Sequence, residues 1–140
     1  RSPMPWTPGT GHGFTDSDVK PWLPFGADAE TRNVEAQLAD ADSTLNFVRH
    51  LIALRRHRPS LYHGTIEFVD DGADDVLSYV RRDDGVETLV FISFADTPQA
   101  HAIPPTATLL ASTDGESLLG DGSLKLAPHA AVVIEPAPGS

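Results

Sequence analysis

Apolar residues at Leu45, Val48, Leu51, Ile52 and Leu54 recur at spacings of three and four, with Phe47 beside them. That period lays one apolar face along a helix, and the spacing predicts it over about residues 43–57. Asp42 or Ser43 stands where a short side-chain oxygen can accept from the first free N–H groups. Arg55, Arg56, His57 and Arg58 fill the last turn, where cations meet the negative end of the helix dipole, and Pro59 stops the helix. This basic cluster reads as a solvated, dipole-matched helix end rather than a polyanion site, because the chain around it is acidic.

After Pro59 the period changes to two. Leu61–Val69 alternates β-branched and aromatic residues and leads into Asp70-Asp71-Gly72. Val76–Arg82 follows, then Asp83-Asp84-Gly85, then Val86–Phe94. These are strands joined by Asp/Gly turns. Further short strands are predicted near Ala100–Ile103, Thr106–Ala111, Leu124–Leu126 and Ala131–Glu135. Six or seven short strands with a turn signal about every ten residues indicate an antiparallel β-sandwich. The aspartate-rich turns lack the regular oxygen-ligand spacing of a calcium loop and read as solvated hairpin turns.

Prolines at 3, 5, 8, 21 and 24 and glycines at 9, 11, 13 and 26 interrupt every helix or strand in the first forty residues, which are expected to be ordered coil. Trp6, Phe14, Trp22, Leu23 and Phe25 are too apolar for a disordered linker, so this coil should fold back and fill a surface. The opening Arg1-Ser2-Pro3-Met4-Pro5-Trp6 has the character of a packed segment with nothing before it to pack against. It raises the expectation that the chain is the tail of a larger protein.

Charge supports a division in two. Residues 1–60 balance seven acids against seven bases, whereas residues 61–140 hold thirteen acids and only Arg81, Arg82 and Lys125, and so carry the whole net charge of −10. We therefore expect residues 1–60 to form one unit, a long loop and a helix, and residues 61–140 to form a sandwich. An acidic chain argues against nucleic acid or an anionic membrane surface as partner. No run reaches the roughly 18 apolar residues of a membrane span. The absence of cysteine excludes disulfides and thiolate metal sites and fits a reducing, cytoplasmic setting.

No catalytic constellation assembles in the sequence. Histidines 12, 50, 57, 63, 101 and 129 are scattered, without an HxxxH pair, so no metal site is expected. No serine sits in a G-x-S-x-G elbow, and no phosphate-binding glycine loop joins a strand to a helix. The acids cluster in turns, where water keeps them ordinary. No cofactor is expected.

One ordered series of motifs goes further. Arg1-Ser2-Pro3-Met4-Pro5-Trp6, Gly13-Phe14, Pro21-Trp22-Leu23-Pro24, Asn33-Val34-Glu35-Ala36-Gln37, Asp42-Ser43 and Leu51-Ile52-Ala53-Leu54-Arg55 follow one another. The series resembles the C-terminal part of α-glucosidases of the α-amylase superfamily (glycoside hydrolase family 13), the oligo-1,6-glucosidase type. The usual pattern there is R-T-P-M-Q-W-D, A-G-F, P-W-L-P, N-V-x-x-Q, D-S and L-I-x-L-R. Val76–Arg81 and Leu89–Phe94 look like the first paired strands of the small domain that follows the barrel.

The resemblance implies that residues 1–60 are the C-terminal remnant of a (β/α)8 catalytic barrel, with residues 43–57 its last helix, and that residues 61–140 are the β-sandwich packed on it. It implies a retaining enzyme whose Asp nucleophile, Glu acid/base and second Asp lie upstream of Arg1, leaving no catalytic residue here. Arg1 is the candidate substrate-binding residue, because an arginine near this motif contributes to the glucose subsite. The expected partner is the barrel of the parent chain, with oligosaccharide met only through it. Self-association through exposed apolar surface is expected of the segment alone. Ser2, Pro5 and Thr7 replace the usual Thr, Gln and Asp, and Gly11-His12 replaces Asn-Ala. A trehalose synthase or another glucosyl-transferring relative shares the Arg-Pro-Met and Asn-Val-Glu-Ala-Gln segments, and a stand-alone carbohydrate-binding sandwich is a further alternative. The Pro-Trp-Leu-Pro stretch favours an α-glucosidase. Against a sugar-binding sandwich, Tyr62, Phe68, Tyr79, Phe91 and Phe94 fall mostly on alternating positions that suit a core.

Overall fold

The computed structural model describes residues 1–70, 72 and 74–136. Two compact units make up the chain, Arg1–Ile52 and Ala53–Ser140.

The first unit contains a 3-10 turn at Thr10–Gly13 and a short helix, α1, at Val34–Ala39. Both lie in the stretch expected to be coil. What the proline and glycine punctuation hides is a strong cap: the buried Asn33 accepts from the Ala36 N–H at 2.9 Å, and its own amide donates to the Ala29 and Glu30 carbonyls. The long helix α2, Thr44–His57, matches the predicted range. Of the two candidate caps, Ser43 takes the role, its hydroxyl oxygen accepting from the Asn46 N–H at 3.2 Å while donating to the Gln37 carbonyl at 2.6 Å. Asn46 donates to the Gln37 and Asp40 carbonyls (3.0 and 2.8 Å), so the end of α1 is tied to the start of α2. No residue of α2 is buried, and Val48 and Ile52 are about half exposed.

The second unit is a β-sandwich of antiparallel strands introduced by one helical turn. That turn, α3 at Pro59–Tyr62, corrects the reading of Pro59 as a stop followed directly by a strand. Proline at the first helical position loses only an N–H that has no partner anyway, and Leu61 and Tyr62 donate to the Arg58 carbonyl at 3.0 Å each. The first strand, β1, therefore begins at Thr65 (Thr65–Val69), not at Leu61. Then come β2 (Val76–Asp83), β3 (Val86–Ser93), β4 (Gln99–Ala102), β5 (Thr108–Ser112), β6 (Leu118–Gly120), β7 (Ser123–Leu126) and β8 (Ala131–Glu135). The eight strands among the described residues exceed the six or seven expected, because β6 is only three residues long in an Asp/Gly-rich stretch.

Asp84 and Gly85 both have positive φ (44° and 77°), and the pair Asp83↔Val86 closes a two-residue turn around them. This is the primed hairpin turn, whose twist matches that of the strands. In the other aspartate turn, Asp71 lies outside the described residues, while the Gly72 N–H donates to the Asp70 carboxylate at 3.1 Å.

One sheet has the order β1-β2-β3-β8-β5 and the other β4-β7-β6. Their facing sides enclose Phe91, Ile103, Leu124, Leu126, Ala130, Val132 and Ile134, the core. Burying each large aliphatic side chain there contributes about 1.5–3 kcal/mol. Around the core, the turn after β5 depends on one carboxylate. Asp114 accepts from the Glu116 and Ser117 N–H groups (2.6 Å each) and from the hydroxyls of Ser117 (2.9 Å) and Ser112 (3.1 Å). Ser117 in turn accepts from the buried Ala127 N–H at 3.0 Å, which links this turn to the end of β7.

Partial burial pushes the Asp114 carboxyl up, but the donors from Glu116, Ser117 and Ser112 outweigh it and hold the group below the usual carboxylate range. A carboxylate depressed in the folded state adds stability above its unfolded pKa of about 3.9, and that stability is lost as pH falls through the lower folded value. Asp114→Ala should therefore lower stability by about 1–2 kcal/mol at pH 7, with the difference shrinking below about pH 4. Urea unfolding of both proteins at neutral and acid pH tests this. A difference that persists unchanged into acid would show that the carboxylate is not the source.

Candidate functional site

Arg1, the substrate-binding candidate, lies in the first unit at the start of a segment without regular secondary structure that reaches the N-terminus of α1. The first free N–H groups of α1, those of Val34 and Glu35, donate to the Pro5 and Trp6 carbonyls at 3.0 and 2.9 Å. Pro5 and Trp6 thus serve as a cap for the helix.

The loop that follows is closed on itself. The Trp6 and Thr7 N–H groups donate to the His12 carbonyl at 2.8 and 3.2 Å, and the Gly9 N–H donates to the Glu30 carboxylate at 3.0 Å. The chain turns here through left-handed conformations, including His12 with φ 47°. Gly13 is required by space as well as by its φ of 68°: an added Cβ would meet Thr7 Oγ1 at 3.0 Å and Trp6 Cβ at 3.1 Å. The His12 ring meets Phe25 edge to face at 4.5 Å, and Phe25 meets Phe14 at 6.3 Å. Phe14 then forms, with Arg1, Met4, Pro21 and Trp22, the wall of a recess of about 400 Å³.

Arg1 is exposed at this recess, and Trp22 beside it is 90 % exposed. No carboxylate or imidazole lines it. The arrangement is suited to binding an apolar ring or sugar face with an acceptor near the guanidinium, and it has no acid–base pair for catalysis. The histidines are not brought together. His63 pairs with Asp83 (3.4 Å) and His129 with Asp96 (3.1 Å), His101 is buried against Phe91, and His50 and His57 lie on α2. Among the described residues, no group of three or more His, Asp or Glu side chains is placed to hold a metal ion.

The sandwich has its own cleft of about 600 Å³ between the sheets, walled by Leu89, Phe91, Ala102, Pro104 and Pro105. The five aromatics expected to suit the core divide differently. Phe91 is buried and Tyr79 is half-buried, but Tyr62, Phe68 and Phe94 are exposed.

Sequence reasoning also missed Arg58. It belongs not to a solvated helix end but to a network at the start of the sandwich. Its Nε donates to Thr88 Oγ1 (2.6 Å), its Nη2 to Glu135 Oε1 (2.5 Å) and to the Glu87 carbonyl (3.3 Å), and Ser60 shares a hydrogen bond with Thr88 at 2.7 Å. The nearby Pro59 was the available signal: once Pro59 starts a helix, Arg58 becomes its N-cap residue and turns away from α2.

Comparison with known proteins agrees with the motif series. Residues 1–64 match the model of the α-amylase catalytic domain. The chain is 35 % identical over 119 residues to an α-glucosidase of Pediococcus pentosaceus, covering 83 % of this chain and 21 % of that protein. It is 31 % identical over 98 residues to the probable oligo-1,6-glucosidase 3 of Bacillus subtilis, covering 70 % and 17 %. It is 35 % identical over 107 residues to the trehalose synthase/amylase TreS of Mycobacterium tuberculosis, covering 71 % and 18 %. Among solved structures, the trehalulose synthase MutB from Pseudomonas mesoacidophila MX-45 superimposes with a TM-score of 0.80 at 27 % identity, over 96 % of this chain and 25 % of that one. The chain spans about a fifth of the length of the relatives it matches. Among the described residues, no helix is long and apolar enough to cross a membrane. Residues 1–64 thus match the catalytic domain of the α-amylase family, glycoside hydrolase family 13, and the relatives of the chain include both α-glucosidases and a trehalose synthase.

Proposed function

We propose that this chain is the non-catalytic C-terminal segment of a cytoplasmic retaining α-glucosidase acting on α-linked gluco-oligosaccharides, and that it stabilises the catalytic barrel of that enzyme. The observation that carries the reading is the pairing of two facts. Residues 1–64 match a catalytic-domain model, yet the chain amounts to only about a fifth of an α-glucosidase. Trp22, Val48 and Ile52 on the first unit keep large apolar area in water, which suits a surface made to be covered. On this reading the barrel is the partner, and self-association of the segment through the same surface is its counterpart when the barrel is missing. Arg1 stands at the recess from which a guanidinium would reach the glucose subsite.

The 140-residue chain is expected to show no turnover of a nitrophenyl α-glucoside. Clear hydrolysis that survives repurification would overturn the assignment, because no acid–base pair lines the recess at Arg1. A second reading, the same region of a trehalose or trehalulose synthase, is favoured by the likeness to TreS and MutB. The products formed from maltose or sucrose by the longer enzyme separate hydrolysis from isomerisation.

A further inference from the structure

Among the described residues, the two sheets end in four edge strands, β1 and β5 in one and β4 and β6 in the other. The unpaired N–H and C=O groups along such an edge invite another chain, and proteins blunt them with short strands, proline, bulges or charge. Three of these edges are blunted. The strand β6 has three residues, β4 has four and is followed closely by Pro104 and Pro105, and β5 is broken by a bulge between Leu109 and Ala111. The edge at β1 is regular: all five residues, Thr65–Val69, pair with β2 in unbroken register, without a proline or a bulge. All five are also exposed, so neither face of the strand is covered.

The composition of β1 selects what can be added to it. Ile66 and Phe68 stand on one side of the strand, 51 % and 65 % exposed, and Thr65, Glu67 and Val69 stand on the other. Residues directly opposite in an added strand share these faces. Apolar residues would therefore meet Ile66 and Phe68, and the residue between them would meet Glu67. Arg82 donates to both Glu67 and Glu87, one guanidinium between two carboxylates, so a surplus of negative charge remains there. More acids stand at both ends of the strand. Asp70 follows Val69 at one end, and Asp83 and Asp84 lie beyond the pair Thr65↔Arg82 at the other.

We propose that the free edge of β1 is a strand-addition site for an extended segment of another polypeptide in which a Lys or Arg stands between apolar residues. Main-chain hydrogen bonds along the edge supply the affinity, and Glu67 with its acidic surroundings selects the sequence. The same carboxylate works against a second copy. Two β1 strands paired antiparallel about their centre would set Glu67 against Glu67, between chains that each carry a net charge of −10.

Amide hydrogen exchange of the 140-residue chain, with and without a capped peptide of alternating Val and Lys, tests the site. Exchange along β1 should slow several-fold on adding the peptide, while exchange along β5 stays as it was. A peptide of alternating Val and Glu should bind about tenfold more weakly. Glu67→Lys should reverse that preference and leave the fold intact, since the Glu67 side chain is 69 % exposed. The Val/Lys peptide methylated at every amide nitrogen keeps its charge but cannot donate to the edge, and it should protect nothing. Equal protection by the methylated peptide would reduce the effect to charge attraction and sink the proposal. So would protection of β1 that rises with protein concentration in the absence of peptide, which would give the edge to a second copy. In the longer polypeptide, β1 amides that are slow from the outset and indifferent to the peptide would give the edge to the parent chain itself, and the site would again be wrong.

Discussion

Gly64→Ala is expected to destabilise the sandwich by about 3 kcal/mol or more, a loss in the range of severe overpacking. Gly64 joins α3 to β1 where two backbone strands pass closest. A Cβ at this position would lie 2.4 Å from the Ser60 carbonyl oxygen and 2.6 Å from that of Arg82. Both obstacles are main chain, so no side-chain rotation relieves them. The Gly64 carbonyl also accepts from Arg81 Nη2 at 2.7 Å, a bond that would be displaced with the backbone. Domains of this size have total stabilities of about 5–15 kcal/mol, so such a loss removes a large fraction of the total. Gly115→Ala is the control, because nothing lies within 4 Å of its added Cβ and its φ is not positive. It should stay within about 0.5 kcal/mol of the parent. Urea midpoints compare the two, and equal midpoints would rule out close approach as the role of Gly64.

Arg58→Met should cost about 2–3 kcal/mol. The Arg58 side chain is only 13 % exposed, and it joins three groups that have few other partners: the Thr88 hydroxyl, the Glu87 carbonyl and the Glu135 carboxylate. Methionine keeps the volume and removes every donor. Most of the loss comes from leaving those acceptors poorly solvated, not from the ion pair itself, since Glu135 is 39 % exposed and water screens it. The double variant Arg58→Met, Glu135→Gln should therefore recover part of the loss, with a coupling of about 1 kcal/mol. Strict additivity in thermal or urea melts would show that the pair does not interact.

These two positions also mark what was legible in the sequence. The β2–β3 hairpin was readable because Asp84-Gly85 supplies two residues that tolerate positive φ between alternating strands, a local cause with a local effect. The long helix was readable for the same reason: its period and the Ser43 cap are written in consecutive residues. Pro59 was misread because proline both stops one helix and suits the first turn of the next, and only packing on Thr88 decides between them. The helix α1 was hidden because Asn33 acts through four residues in an otherwise broken stretch. Alternation in β1 was visible, but not that both of its faces would stay exposed, because how far the partner sheet reaches is decided far along the chain. The recess at Arg1 was reached through a resemblance in motifs; no period or spacing reveals that Phe14 and Trp22 would both line it.

The position of β8 has a consequence for how the sandwich forms. In the sheet order β1-β2-β3-β8-β5, the strand latest in the chain is inserted between two that precede it. The β2–β3 hairpin can close locally within about 1–10 μs. Its other edge must wait for Ala131–Ile134 to arrive from some forty residues away, and β5 has no other neighbour in its sheet until then. Closing so long a loop is what slows β-rich domains. Until that segment arrives, Leu89 and Phe91 have only β2 beside them, so the hairpin precedes the sandwich of which it becomes the centre.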